Sequence, residues 1–144
     1  MTPQVDEFLS EWHRIVSERD VFALAKVVAE DIEMGAPPYW TKLQGRDLVR
    51  HLLGLIVHTI EDFTYHREWR SGREYALEFT GHVGDLQLQG IDLISVNERG
   101  EISNLDVLMR PVTAVIALRE IIAPQMAAFL AQRSDEPPSR RSHE

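Results

Sequence analysis

The sequence predicts an α+β cone, in which helices cover one face of a curved antiparallel sheet and a further helix follows at the C-terminal end. Three observations carry this expectation. Apolar residues recur at helical spacing through the first part of the chain, up to Ile60. Four runs of strand-forming residues joined by short turns then occupy Asp62 to Arg110. Helical spacing returns from Pro111. A helical period followed by a tight-turned meander points to helices segregated on one face of an antiparallel sheet.

Each element has a local reason. Thr2-Pro3 reads as a helix start, with Thr as N-cap and Pro in the first turn. Phe8, Leu9, Trp12, Ile15 and Val16 form the apolar face of that helix, which the polar run Ser17 to Asp20 ends. Asp20 caps a second helix bearing Val21, Leu24, Ala25, Val27 and Val28. A short strand over Asp31–Ala36 stops at Pro37-Pro38, and an aromatic-bearing loop runs from Tyr39 to Gln44. Arg46–Ile60 is a third helix, apolar around most of its circumference and so expected to be buried. Strands are expected over Asp62–Arg70, Arg73–Val83, Leu86–Val96 and Glu101–Arg110, with turns at Ser71-Gly72, Gly84-Asp85 and Asn97–Gly100. Gly81, Gly84 and Gly90 are expected to mark curvature or bulges. The last helix, Pro111–Gln132, should kink or divide at Pro124. Residues 1–132 thus form a single domain, and the polar segment Arg133 to Glu144 is expected to be a disordered tail.

Composition excludes several classes. A net charge of −8 argues against a nucleic-acid or anionic-membrane partner, since both need a basic face. The chain has no cysteine, hence no disulfide, thiolate nucleophile or cysteine metal site. His51 and His58 stand seven apart on one helix, and no His pair at i, i+4 spacing accompanies a carboxylate, so no metal site is expected. Neither a nucleophile elbow nor a phosphate or dinucleotide loop is present. The longest apolar region is read as Leu52 to Ile60, interrupted by Gly54 and His58 and far too short to span a bilayer. The N-terminus lacks a basic region followed by an apolar run, and a cytoplasmic location is expected.

Asp92 stands out chemically. It lies among Ile91, Leu93, Ile94 and Val96, and a carboxylate in such a strand is costly unless paired, exposed or used. Either it is a pocket acid with a raised pKa, or it is a structural carboxylate paired with a residue such as Arg110 or facing a dimer interface. Asp106 alternates with Leu105 and Val107 and is expected to point outward, as are Glu33 and Glu78. Trp12, Tyr39, Trp40, Tyr65, Trp69, Phe79 and Met109 are the candidate lining of an apolar pocket, Tyr39 and Trp40 at its mouth. His13, next to Trp12, is expected to be solvated.

The element order, the Arg19-Asp20 end of the first helix and the successive segments LAKVVAEDIEM, LQGRDLVRHL, GIDLISVNERGEI and LDVLMRP resemble the nuclear transport factor 2-like superfamily. These are cystatin-like α+β cones, and the SnoaL-like proteins look most similar. The resemblance covers about Phe8 to Pro111. Steroid Δ-isomerases of this superfamily use an Asp base with an oxyanion hole built from a Tyr and a protonated Asp. The resemblance puts their tyrosine at Trp12, their base at Ala36 and their protonated aspartate at Asp92. One position of three is kept, so ordinary ketosteroid isomerisation is not expected. The epoxide hydrolases need an Asp-Arg-Asp constellation. Their arginine falls at Gly90, and their second aspartate at Val107, or at Asp106 after a one-residue slip.

The resemblance implies a cofactor-independent enzyme of isomerase or cyclase type, with Asp92 as the acid and a small apolar or polyketide-like substrate. The alternative is a non-catalytic module of the same fold that binds a hydrophobic ligand or assembles with itself; epoxide hydrolysis is the third reading. A homodimer through the outer sheet face is also expected.

Overall fold

The computed structural model describes residues 3–134, with side chains from residue 7 to residue 133. Among the described residues the chain forms four helices and six strands. They are α1 (Pro3–Glu18), α2 (Val21–Val27), β1 (Val28–Gly35), β2 (Leu43–Gln44), α3 (Arg46–Thr59), β3 (Glu61–Ser71), β4 (Glu74–Val83), β5 (Leu86–Val96), β6 (Ile102–Arg110) and α4 (Val112–Ser134). The predicted cap Thr2 and most of the predicted tail lie outside the described residues. Arg133 and Ser134, assigned to that tail, are instead the end of α4.

The α1–α2 junction follows from one carboxylate. Asp20 accepts a hydrogen bond from the Ala23 amide at 3.1 Å, which satisfies an otherwise orphaned donor at the start of α2. Arg14 on α1 donates to the other Asp20 oxygen at 3.0 Å and to Glu18 at 2.9 Å, tying the two helices together. The β5–β6 turn is held by Asn97, whose side-chain oxygen accepts from the amides of Arg99 and Glu101, while Gly100 takes the left-handed conformation.

The strands lie in the order β2-β1-β6-β5-β4-β3. β3 to β6 form the expected antiparallel meander. The sheet is nevertheless mixed, because β1 runs parallel to β6, with Met34 opposite Leu105 and Gly35 opposite Asp106. The chain leaves β1, crosses over through α3 to the far edge and zigzags back until β6 reaches β1. Local turn signals reveal the meander but not this long-range closure. β1 also begins earlier than expected, at Val28, since α2 stops at Val27.

Alternation along each strand separates two faces. Tyr75, Leu77 and Phe79 of β4, Leu88, Asp92 and Ile94 of β5, and Leu105 of β6 point into the core, where Trp12, Ile15, Leu24, Val49, Leu53 and Leu118 of the helices meet them. Gly90 marks close packing rather than a bulge, since β4 and β5 pair without a break in register, whereas Gly81 lies opposite the register shift of β3 between Glu61 and Thr64, as expected of a bulge. A Cβ at Gly90 would meet Leu108 O at 2.5 Å and collide with the Phe79 ring. Gly84 instead serves the turn, with φ of 58°.

α4 is one continuous helix, so Pro124 does not divide it, and Gln125 donates from its side chain to Ile121 O at 3.0 Å beside the proline. Its stretch Val112–Arg133 is also long and apolar enough to cross a bilayer, longer than the Leu52–Ile60 run that the sequence reading singled out. Arg119, Glu120 and Pro124 interrupt that stretch. In the fold α4 packs on the cone through Ala114, Val115, Leu118 and Ile122.

Gly90→Ala is expected to destabilise the fold by roughly 2–3 kcal/mol, because a backbone carbonyl and an immobile ring both block the new methyl group. Denaturant unfolding of the variant against wild type measures this.

Candidate active site

The cone encloses a cavity of about 460 Å³, a volume suited to a small organic ligand. Its wall is almost wholly apolar. α3 contributes Leu53, Ile56 and Val57, the sheet Phe63, Phe79, Leu105, Val107 and Met109, and α4 Leu118, Ile122 and Met126. Phe63 stacks on Phe79, with centroids 4.6 Å apart, and stands edge-on to Tyr65.

One polar chain crosses the cavity wall. Trp12 Nε1 on α1 donates to the Tyr65 hydroxyl on β3 at 2.9 Å. Tyr65 donates in turn to Asp92 Oδ2 on β5 at 2.6 Å. The indole N–H has a single proton to give and the phenol has one to pass on, so the direction of the chain is set. Asp92 Oδ1 has no hydrogen-bond partner among the described residues, and no buried side-chain oxygen there is left unsatisfied, so Oδ1 is open to the cavity.

Burial decides the chemistry of Asp92. Its residue is 6% exposed, and desolvation pushes its pKa from 3.8 up to about 7, although the Tyr65 hydrogen bond works the other way. Below about pH 7 the carboxyl therefore holds a proton. Since Tyr65 donates to Oδ2, that proton belongs on Oδ1, facing the cavity. Burial and then the neighbouring Asp92 push Tyr65 well above its usual value, so the phenol stays neutral. Among the described residues Asp92 is the one carboxyl in the cavity lining.

The remaining candidates are distributed as follows. Trp12, Tyr65, Phe79 and Met109 all line the cavity, and Tyr39 stands at its rim, 58% exposed. Trp40 lies outside the lining and is 96% exposed, because the turn after Pro38 directs it into solvent. Trp69 sits on the outer sheet face beneath the Arg67 guanidinium, since a register shift between Tyr65 and Glu68 reverses the alternation. His13 is not simply solvated: it pairs with Glu68 and stands edge-on to Tyr65.

Asp106 points outward, to Lys42 at 3.1 Å and Asn104 at 3.0 Å, because Val107 is the residue opposite Asp92. The Asp-Arg-Asp constellation of an epoxide hydrolase is thus not assembled in the cavity. Arg110 does not meet Asp92 but donates to Gln89 at 2.7 Å. Glu33 is on the outer face and accepts from Gln44 at 3.0 Å. Glu78 also faces outward yet is shielded rather than solvated. Arg67 and Gln89 close over it, and the Arg67 hydrogen bonds hold its pKa down to about 2 against the effect of burial. Among the described residues no group of three His, Asp or Glu side chains is placed to hold a metal ion.

Known proteins with this architecture can be set beside the site. No protein-family model matches the chain, and no curated protein does. Solved structures do match. A steroid Δ-isomerase from Pseudomonas aeruginosa superposes with a TM-score of 0.83 at 32% identity, over 91% of this chain and 97% of its own. An uncharacterised protein with a cystatin-like fold from Silicibacter pomeroyi superposes with a TM-score of 0.81 at 34% identity, over 93% of this chain and 94% of its own.

The chain belongs to the nuclear transport factor 2-like superfamily. The epoxide hydrolase/cyclase-like enzyme SalBIII shares the fold at 17% identity and a TM-score of 0.63, over 74% of this chain and 91% of its own. In this NTF2-like chain the hydroxyl beside the buried aspartate comes from β3, as Tyr65, and the Trp12 indole N–H on α1 steadies it. Sequence reasoning singled out all three residues without connecting them. It missed the α4 lining, although Leu118, Ile122, Met126 and Leu130 recur every four residues along one stripe.

The raised pKa of Asp92 has a consequence for stability. The folded carboxyl holds its proton more tightly than the unfolded one, so its contribution is fully present below about pH 4 and is lost as pH rises through about 7. Asp92→Asn, which cannot ionise, is therefore expected to exceed wild type in stability by about 1–3 kcal/mol near pH 8 and to match it near pH 4. Thermal or denaturant unfolding at both pH values checks this.

Proposed function

We propose that the protein is a small-molecule enzyme of isomerase or cyclase type, with Asp92 as its acid. The supporting observation is the Trp12–Tyr65–Asp92 chain at an otherwise apolar cavity wall. A neutral carboxyl whose Oδ1 is open to the cavity is suited to donating a hydrogen bond to a substrate carbonyl. As the substrate enolises, its α-proton passing to a water molecule that enters at the rim, negative charge grows on that oxygen. A fixed donor in a site shielded from water stabilises this charge far more than water would. The substrate is a small apolar molecule carrying a carbonyl, and likeness to a named steroid Δ-isomerase supports an isomerisation or a related ring closure. Ala36 leaves the cavity without a second carboxyl at the isomerases' base position. That feature favours the other reading, a binding module in which Asp92 only orients a ligand.

Turnover of a panel of enone, β,γ-unsaturated ketone and epoxide substrates separates the two. If Asp92 is the acid, Asp92→Asn lowers kcat/KM for the active substrate by roughly 10²–10³-fold, and wild-type activity falls above about pH 7 as the proton is lost. Unchanged turnover in Asp92→Asn removes Asp92 from catalysis. Binding of a panel member without turnover supports the module instead.

We also propose a homodimer through the outer sheet face. Trp69, Ala76 and Leu93 lie side by side across three strands, and Ile91 pairs with Leu108 in a neighbouring row. Trp69, Leu93 and Leu108 are 48%, 41% and 55% exposed, an apolar group suited to a second copy of the same surface. A dimer mass at micromolar concentration is expected, with Leu93→Asp/Leu108→Asp shifting it to monomer while far-UV circular dichroism is retained. A monomeric wild-type mass overturns the proposal.

A further inference from the structure

The mouth of the cavity has a chemistry unlike its interior. Tyr39, Thr41 and Lys42 form one side, and Arg119, Ala123 and Leu130 of α4 form the other. Two of these six residues carry positive charge, in a chain whose net charge is −8. The two cations are not equivalent. The Lys42 ammonium is committed to Asn104 at 2.8 Å and to Asp106 at 3.1 Å. The Arg119 side chain makes no hydrogen bond or ion pair among the described residues. Arg19, Arg50 and Arg73 likewise lack such a bond to their side chains, but none of them borders the cavity. Among the described residues Arg119 is thus the unpaired guanidinium set at the entrance to an apolar chamber.

We infer that Arg119 recognises an anionic end group on the ligand, which makes the ligand an amphiphile with an apolar body and a carboxylate tail. This deepens the reading of the cavity as a ligand site and rests on it. The apolar body occupies the space bounded by Phe63, Phe79 and Ile122, and the end group stays in water at the rim. Such an arrangement suits the physics of both ends. The apolar body gains by leaving water, whereas a carboxylate drawn to the inner wall would be desolvated beside Asp92. At the rim it keeps its hydration and meets a planar fork of donors that matches its two oxygens. Arg119 is then a specificity residue, remote from the acid.

The probe pair is cis-parinaric acid and its methyl ester, which share an apolar body and differ in the charge of one end. Each is titrated by fluorescence against the wild-type protein and Arg119→Gln at pH 8. Wild type is expected to bind the acid about 5–10-fold more tightly than the ester, as suits a partly exposed charge pair. Arg119→Gln is expected to lose that preference while its affinity for the ester is unchanged, and 0.5 M salt is expected to shrink the preference in wild type. Equal wild-type affinity for acid and ester overturns the inference and leaves the cavity reading intact. So does a variant that weakens both probes alike. Failure of wild type to bind either probe overturns both readings together.

Discussion

The hydrogen bond from the Tyr65 hydroxyl to Asp92 Oδ2, at 2.6 Å, is the interaction on which the character of this site depends. A carboxyl in an apolar chamber pays a desolvation penalty as an anion, so the folded protein keeps the proton on until about pH 7. Tyr65 determines which oxygen carries that proton. It occupies Oδ2 as a donor, and Trp12 in turn holds the phenol in that orientation. Three elements far apart in the chain, α1, β3 and β5, are thereby joined by a directional chain whose free end opens on the cavity.

The chamber itself is a consequence of how the sheet closes. The meander from β3 to β6 ends against β1, and the parallel pairing there brings Met34 and Leu105 side by side in the core. Removal of side chains at Gly81 and Gly90 lets Ile60 and Phe79 lie close against the strands. The helices then supply the remaining wall. α4 carries apolar residues on more than one side, broken by Arg119, Glu120 and Gln125, and its stripe Leu118, Ile122 and Met126 faces the inside of the cavity. The mouth lies between α4 and the loop after Pro38, which is why its polar residues come from those two segments.

Much of the fold was legible because its signals are local. Asp20 as the cap of α2, the Asn97–Gly100 turn, the four meander strands and the boundaries of β5 all depend on residues within a few positions of one another. Less of the site was legible. The placement of Asp106 on the outer face followed from alternation, whereas the direction of Asp92 stayed open between the pocket and a structural pairing until the strands were assembled. Trp69 did not follow, because a shift in register between Tyr65 and Glu68 reverses the faces along β3. Glu78 was read as an outward carboxylate, and it is one, but the shielding by Arg67 and Gln89 depends on neighbours from two adjacent strands. Trp40 was placed at the cavity mouth by its position in the loop after Pro37-Pro38, and position in a loop says nothing about the direction of a side chain.

The sequence by itself determined that an acidic, cysteine-free chain would build helices over a meander, and that one carboxylate would sit where carboxylates are costly. Those conclusions rest on periodicity, composition and the price of burying charge, none of which needs coordinates. Only the tertiary structure decided what Asp92 is paired with. Its partner is 27 residues away, and the indole that orients the partner is 53 residues beyond that phenol in the other direction. Hydrogen bonds act over about 3 Å in space and carry no trace in the spacing of residues along the chain. Tyr65 therefore emerged as the neighbour of Asp92 only when β3, β4 and β5 were laid side by side.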